Sequence, residues 1–146
     1  MNNILIIVAV VTILLLGVLW HSSTTRDQQP TVTIAETSFV VTIADTPEAR
    51  RLGLSGVDFL NENEGMFFVF DEDARHGIWM KNMVISIDIL WFDRERRLID
   101  FRDSISPETY PEPFIPRSDA RYVLEVSAGM RIRNRIGRGM QFELAY

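Results

Sequence analysis

The sequence predicts a mainly β domain, sandwich-like or barrel-like, with one or two short helices, preceded by one N-terminal transmembrane helix. Three observations predict it. Residues 4–20 form an apolar run broken only by Thr12 and Gly17. Beyond residue 30, short runs of β-branched and aromatic residues recur roughly every ten residues, with turn-forming residues between them. Pro107, Pro111, Pro113 and Pro116 crowd one stretch and exclude a regular ladder there.

The run from Ile4 to Trp20 is about 25 Å long as a helix at ~1.5 Å per residue, near the lower limit for crossing a bilayer. No charged side chain precedes Arg26. A retained anchor is favoured over a cleaved signal. Met1-Asn2-Asn3 lacks the basic start of a signal peptide, and Leu16 to His21 is bulky where cleavage requires small residues. Trp20 falls where aromatic side chains mark the membrane–water interface. The expected location is therefore the cell membrane, single-pass. The domain is placed on the extracytoplasmic side because short N-terminal anchors commonly export the domain attached to them; Arg26 beside Asp27 gives almost no orienting charge bias. Residues 21–30 read as a flexible spacer, being polar and without periodicity. Residues 31–146 are the size of one domain.

Composition narrows the chemistry. The absence of cysteine excludes disulfides and thiolate sites. A net charge of -5 argues against nucleic acid as a partner, because neutralising phosphates requires a basic face.

Along the domain, Ser38 to Ala44 alternates, with Phe39, Val41 and Ile43 on one face. Thr46, Pro47 and Glu48 open a short helix as cap, first residue and first-turn acid, and Gly53 ends it. Gly65 to Phe70 is apolar on both faces and reads as a strand covered on both sides. Ile78 to Lys81 is a short extended piece. Val84 to Phe92 and Arg97 to Asp103 make a hairpin about Asp93-Arg94-Glu95-Arg96, with Ile99 and Phe101 expected inward. Residues 104–119 are a long loop of the kind that often carries function. Ala120 to Ser127 is a strand, residues 129–136 a short helix or turn, and Met140 to Ala145 the last strand.

Polar residues inside this apolar background mark where chemistry would sit. Trp79-Met80-Lys81-Asn82 sets an aromatic face beside a cation and an amide, a set suited to gripping a polar ligand. Asp88 and Glu125 interrupt apolar strands, and a buried carboxylate requires a partner. For Asp88 the candidate donors are Lys81, an arginine or backbone N–H groups, and for Glu125 an arginine or a loop backbone. Arg51 caps or pairs with an acid, or binds a carboxylate. His76 has no neighbouring nitrogen or sulfur ligand, so no metal site is expected. Asp71-Glu72-Asp73 lacks a calcium-loop pattern and reads as a solvated acidic turn. With no glycine-rich phosphate loop, nucleophile elbow or paired-histidine helix, no cofactor is expected.

Five segments in order, Arg51-Leu52-Gly53-Leu54, Gly65 to Phe70, Trp79 to Asn82, Ile87-Asp88-Ile89, and Tyr122 to Glu125 with Gly129, resemble the family called domain of unknown function 192. The resemblance spans Ser38 to Leu144. It implies a small, mostly β protein, often exported or membrane-tethered, and specifies no reaction. This chain departs from the family pattern at Met83, where Thr is usual, at Ser86 for Pro, at Ser55 for Met, and at Met140 for an acid.

Three functions are compatible with these readings. The first is a binding or accessory module, with Arg51, Trp79, Lys81 and Asn82 beside the proline-rich loop holding a small polar ligand or an extended peptide. The second is a hydrolase-like or isomerase-like enzyme using Asp88 and Glu125 as acid and base, which requires both in one cleft. The third is a structural component of an envelope assembly.

Overall fold

The computed structural model describes residues 29–146. The expected anchor, residues 4–20, and the spacer up to residue 28 lie outside the described residues; among those described, no helix is long and apolar enough to cross a membrane.

Seven strands form one sheet: β1 (Thr31–Ile34), β2 (Thr37–Ala44), β3 (Glu64–Ala74), β4 (Ile87–Phe92), β5 (Leu98–Ile105), β6 (Ala120–Ser127) and β7 (Phe142–Ala145), in the order β5-β4-β6-β3-β2-β1-β7. Two short helices accompany them, α1 (Pro47–Leu52) and α2 (Met130–Arg133). All strand pairs are antiparallel except β2 with β3, whose connection carries α1. The sheet curls into a half-barrel. Its two edges meet at one end, where the Leu98 amide donates to the Met140 carbonyl (2.8 Å) and the Phe142 amide to the Arg96 carbonyl (3.1 Å). That partial closure shields edges that would otherwise offer free ladder groups.

Side chains alternate across the sheet and feed two cores. The concave face takes residues from every strand, among them Phe39, Phe67, Leu90, Leu98, Leu124 and Phe142. The outer face holds Phe68, Ile89, Trp91 and Val123, with Leu54, Ile78 and Met80 from connecting segments laid over them. β4 is buried at all six positions because both faces are covered. Each large apolar side chain so buried contributes about 1.5–3 kcal/mol.

Helix α1 follows its sequence signals. The Thr46 hydroxyl accepts from the Ala49 amide (3.1 Å), Pro47 opens the helix, and Gly53 closes it at a positive φ of 52°. Two expected strands begin or face differently. β4 starts at Ile87 because residues 80–83 form a turn, with Asn82 left-handed at φ 55° and the Met83 amide on the Met80 carbonyl (3.3 Å). In β5 the fully buried residues are Leu98 and Asp100, whereas Ile99 and Phe101 are only half-buried. A register irregularity between Trp91 and Phe92 resets the facing there. The 104–119 loop also has order of its own: β5 runs to Ile105, a 3-10 turn spans Pro107–Thr109, and Phe114 exchanges backbone hydrogen bonds with Ile78. Asp71-Glu72-Asp73 is not a turn but part of β3, where Asp73 pairs with Arg121 (2.6 Å) and Arg94 (3.3 Å).

Candidate functional site

Among the described residues three acids are buried, and they are partnered very differently. Asp88, on the concave face of β4, accepts backbone amides of Ser104 (2.7 Å), Gly129 (3.0 Å) and Arg131 (2.8 Å). Its carboxylate thus holds the end of β5 to the start of α2. Of the donors expected for Asp88, backbone N–H groups are the ones that hydrogen-bond to it, and Lys81 plays no part. Asp100 pairs with Arg138 (2.6 Å) and Arg102 (3.3 Å) and accepts the Arg117 amide (3.0 Å).

Glu125 has no such support. It sits mid-sheet on β6, opposite Ile89 of β4 and Met66 of β3. Alternation turns its side chain to the outer face with Val123, away from Asp88. The residue is 4% exposed, and its carboxyl makes no hydrogen bond or ion pair among the described residues. Neither the expected arginine nor a loop amide reaches it. Among the described residues every fully enclosed side-chain polar atom has a partner, so the unpaired Glu125 carboxyl keeps its small exposure toward open space. Burial alone pushes its pKa up to about 8, so the carboxyl is largely protonated at neutral pH.

Glu125 lines a pocket with Arg50, Arg51, Ser55, Trp79 and Lys81. Two loops make its walls. The 53–56 turn after α1 is fastened to the 80–83 turn by the Ser55 hydroxyl on the Lys81 carbonyl (3.0 Å) and the Gly56 amide on the Asn82 carbonyl (2.9 Å). Trp79 is 46% exposed, meets Tyr110 of the proline-rich loop edge-on (6.1 Å), and has the Lys81 Nζ 5.4 Å from its ring centroid. Arg50 is anchored: its guanidinium donates to the Asp45 and Val69 carbonyls (both 2.7 Å) and pairs with Asp71 (3.3 Å). Arg51 and Lys81 have no ion-pair partner among the described residues, which removes the acid-pairing alternative for Arg51. The cavity volume is about 50 Å³, enough for one small chemical group and far below the ~300 Å³ or more of a drug-sized pocket.

The structure therefore brings Arg51, Trp79, Lys81 and Glu125 to one place and leaves two expected residues out. Asn82 supplies its backbone to the wall and lines only an adjoining depression beside Arg51 and Lys81. Asp88 faces the opposite side of the sheet, so it shares no cleft with Glu125. His76 stacks on Phe70 (3.6 Å between centroids) with Nε2 3.0 Å from the Glu72 carbonyl, a packing role. Sequence reasoning missed Arg50, Ser55 and Asp100. Asp100 carried the same signal as Asp88, an acid inside an apolar strand. Ser55 was visible only as a departure from the family pattern, and no local pattern marks Arg50.

The family model of domain of unknown function 192, described as an uncharacterised ACR, matches residues 30–144. The chain belongs to this family. UPF0127 proteins of Thermococcus gammatolerans and Thermococcus kodakarensis are 35% and 33% identical to it over 92 residues, which is 62% of this chain and 56% and 55% of theirs. The matched stretch thus spans about half the length of those curated relatives. Among solved structures, a protein of unknown function from Novosphingobium aromaticivorans has a TM-score of 0.74 at 26% identity, covering 77% of this chain and 83% of that one. A Sinorhizobium meliloti protein, described as a candidate transcription regulator, has a TM-score of 0.74 at 24% identity over 79% of this chain and 93% of its own. That likeness shows the fold alone. The family resemblance drawn from the five sequence segments is borne out.

Proposed function

We propose that this chain is a membrane-tethered, extracytoplasmic binding module whose pocket receives a polar group of its ligand. One observation carries the reading: Glu125 is a nearly buried carboxyl without a partner among the described residues, at the wall of a pocket. Leaving a buried polar group unpaired costs about 1–3 kcal/mol, and such groups concentrate where a ligand completes them. Asp88 and Asp100 are the internal comparison, because each is fully supplied with donors. Trp79 adds an exposed aromatic face beside the opening, where a ligand's apolar portion gains from contact. The small volume favours a single group inserted from a larger ligand, whether a small molecule or an extended peptide.

The tether rests on residues 4–20, and the orientation on the habit of short N-terminal anchors. The enzyme reading based on Asp88 and Glu125 lacks its required geometry, as the two carboxyls lie on opposite faces of the sheet.

The test uses the full chain in detergent micelles with labelled tryptophan indoles. Acetate, acetamide, methylamine and glucose are titrated separately while the Trp79 indole resonance, assigned through Trp79→Phe, is followed. At least one fragment is expected to move Trp79 and leave the buried Trp91 in place. If none moves it, the binding reading is refuted. For the tether, the protein is expected to stay with membranes through alkaline carbonate extraction and to be cut by protease added to intact spheroplasts. Extraction into the soluble fraction sinks the anchor, and protection from protease sinks the orientation.

A further inference from the structure

We propose that the group received by this pocket is a carboxylate with an apolar neighbour, bound by the Glu125 carboxylic acid as hydrogen-bond donor and by the charges of Arg51 and Lys81. This rests on the binding reading above and specifies its ligand class.

The charge of the lining is the first argument. In a chain with 20 acids and 15 basic residues, the pocket gathers Arg50, Arg51 and Lys81 around one acid, Glu125. Arg50 is committed to two carbonyls and Asp71. Arg51 and Lys81 keep their charge for a ligand. A cationic ligand meets two like charges here, whereas an anion is attracted by both.

The second argument is the state of Glu125. An ionised carboxylate would repel an anion, but an un-ionised carboxyl presents an O–H. Its bond to an incoming carboxylate is the short, charge-assisted kind. A protonated acid is thus the form of Glu125 that matches the cations beside it; all these groups then favour the same ligand charge.

Size and rim narrow the anion. A planar carboxylate fits a volume of about 50 Å³ and suits the planar fork of a guanidinium such as Arg51. Leu52, 63% exposed, lines the pocket with the half-exposed Trp79, and Tyr110, 44% exposed, meets Trp79 edge-on. These apolar surfaces would cover a hydrophobic substituent next to the carboxylate. A branched short-chain acid and the carboxyl terminus of a peptide ending in an apolar residue share that chemistry.

Full-length protein in micelles at pH 6.5 is titrated calorimetrically with isovalerate, N-acetyl-alanyl-leucine, the amide of that dipeptide, isoamylamine and inorganic phosphate. The two carboxylates are expected to bind, and the amide and amine to bind at least tenfold more weakly. Isovalerate binding as tightly as the dipeptide assigns a small acid; a tenfold advantage for the dipeptide assigns a chain terminus. Arg51→Gln and Lys81→Gln are each expected to weaken carboxylate binding about tenfold. Glu125→Leu is expected to abolish it while the urea midpoint does not fall, since an apolar side chain replaces an unpaired buried acid. Equal binding of acid and amide, tighter binding of phosphate or isoamylamine, or full affinity in Glu125→Leu overturns the proposal. If a non-carboxylate fragment moves Trp79 and no carboxylate does, only this inference falls; if nothing moves Trp79, the binding reading falls with it.

Discussion

Replacing Glu125 with Gln removes one ionisable group that has no partner among the described residues, so its effect on stability depends on pH in a calculable way. In the unfolded chain the carboxyl loses its proton near 4.5, and in the folded chain near 8. Between those values the folded state binds the extra proton, so folding of the parent weakens as pH rises. The contribution of Glu125 is fully present below about 4.5 and is lost as pH climbs through the folded value. At about 1.4 kcal/mol per pH unit, the interval from 4.5 to about 8 sets a ceiling of about 5 kcal/mol. Water entering through the pocket mouth solvates the ionised form and lowers the figure, so we expect about 2–4 kcal/mol. The basic groups lining the pocket with Glu125 are Arg50, Arg51 and Lys81. Urea unfolding of full-length parent and Glu125→Gln, followed by tryptophan fluorescence from pH 4.5 to 9, should give curves that diverge steadily and become parallel only above about pH 8. Curves separated by a constant offset across the whole range would refute the unpaired, buried description of this carboxyl.

Trp79→Ala should change stability by less than about 1 kcal/mol, as befits a half-exposed side chain, yet eliminate the heat of carboxylate binding; a variant that binds normally would remove Trp79 from the site. Asp88→Ala strands the amides of Ser104, Gly129 and Arg131 and should cost about 3–5 kcal/mol by urea denaturation; a loss below about 1 kcal/mol would contradict its structural role. Gly65→Ala puts a Cβ 2.6 Å from the Glu125 carbonyl oxygen and should destabilise by more than about 2 kcal/mol, whereas an undiminished urea midpoint would argue against this register of β3 on β6. Asp100 is drawn upward by burial, but Arg138, the Arg117 and Phe101 amides and Arg102 outweigh this and hold its pKa below the usual value. Its stabilisation is therefore present at neutral pH and lost on acidification, so Asp100→Asn should flatten the fall in stability on the acid side; an acid limb as steep as the parent's would show that Asp100 is not its source.

Local chemistry determined a great deal of this protein. Thr46, Pro47 and Gly53 specified α1, the two-sided apolar run of Gly65 to Phe70 specified a covered strand, and the alternation of Phe39 and Val41 specified which face of β2 turns inward. These features depend on neighbours a few residues away and therefore stay legible without a fold. The spacing of strands predicted a mainly β domain but left sandwich and barrel open, because curling one sheet or stacking two needs the same alternation. Only the three-dimensional pairing of Leu98 with Met140 decided for the half-barrel. The three interior acids show the same division. An acid within a greasy strand announces that it must be accommodated, which is why Asp88 and Glu125 stood out. Whether it is accommodated depends on partners 41 and 43 residues away for Asp88, at Gly129 and Arg131, and on the absence of any such donor for Glu125 among the described residues. Arg51, Trp79 and Lys81 were each conspicuous in the sequence, but their convergence on Glu125 arises because two distant turns are fastened by Ser55 and Gly56. Side-chain type is a property of position in the chain; companionship around a cavity is a property of long-range packing, and tertiary structure alone supplies it.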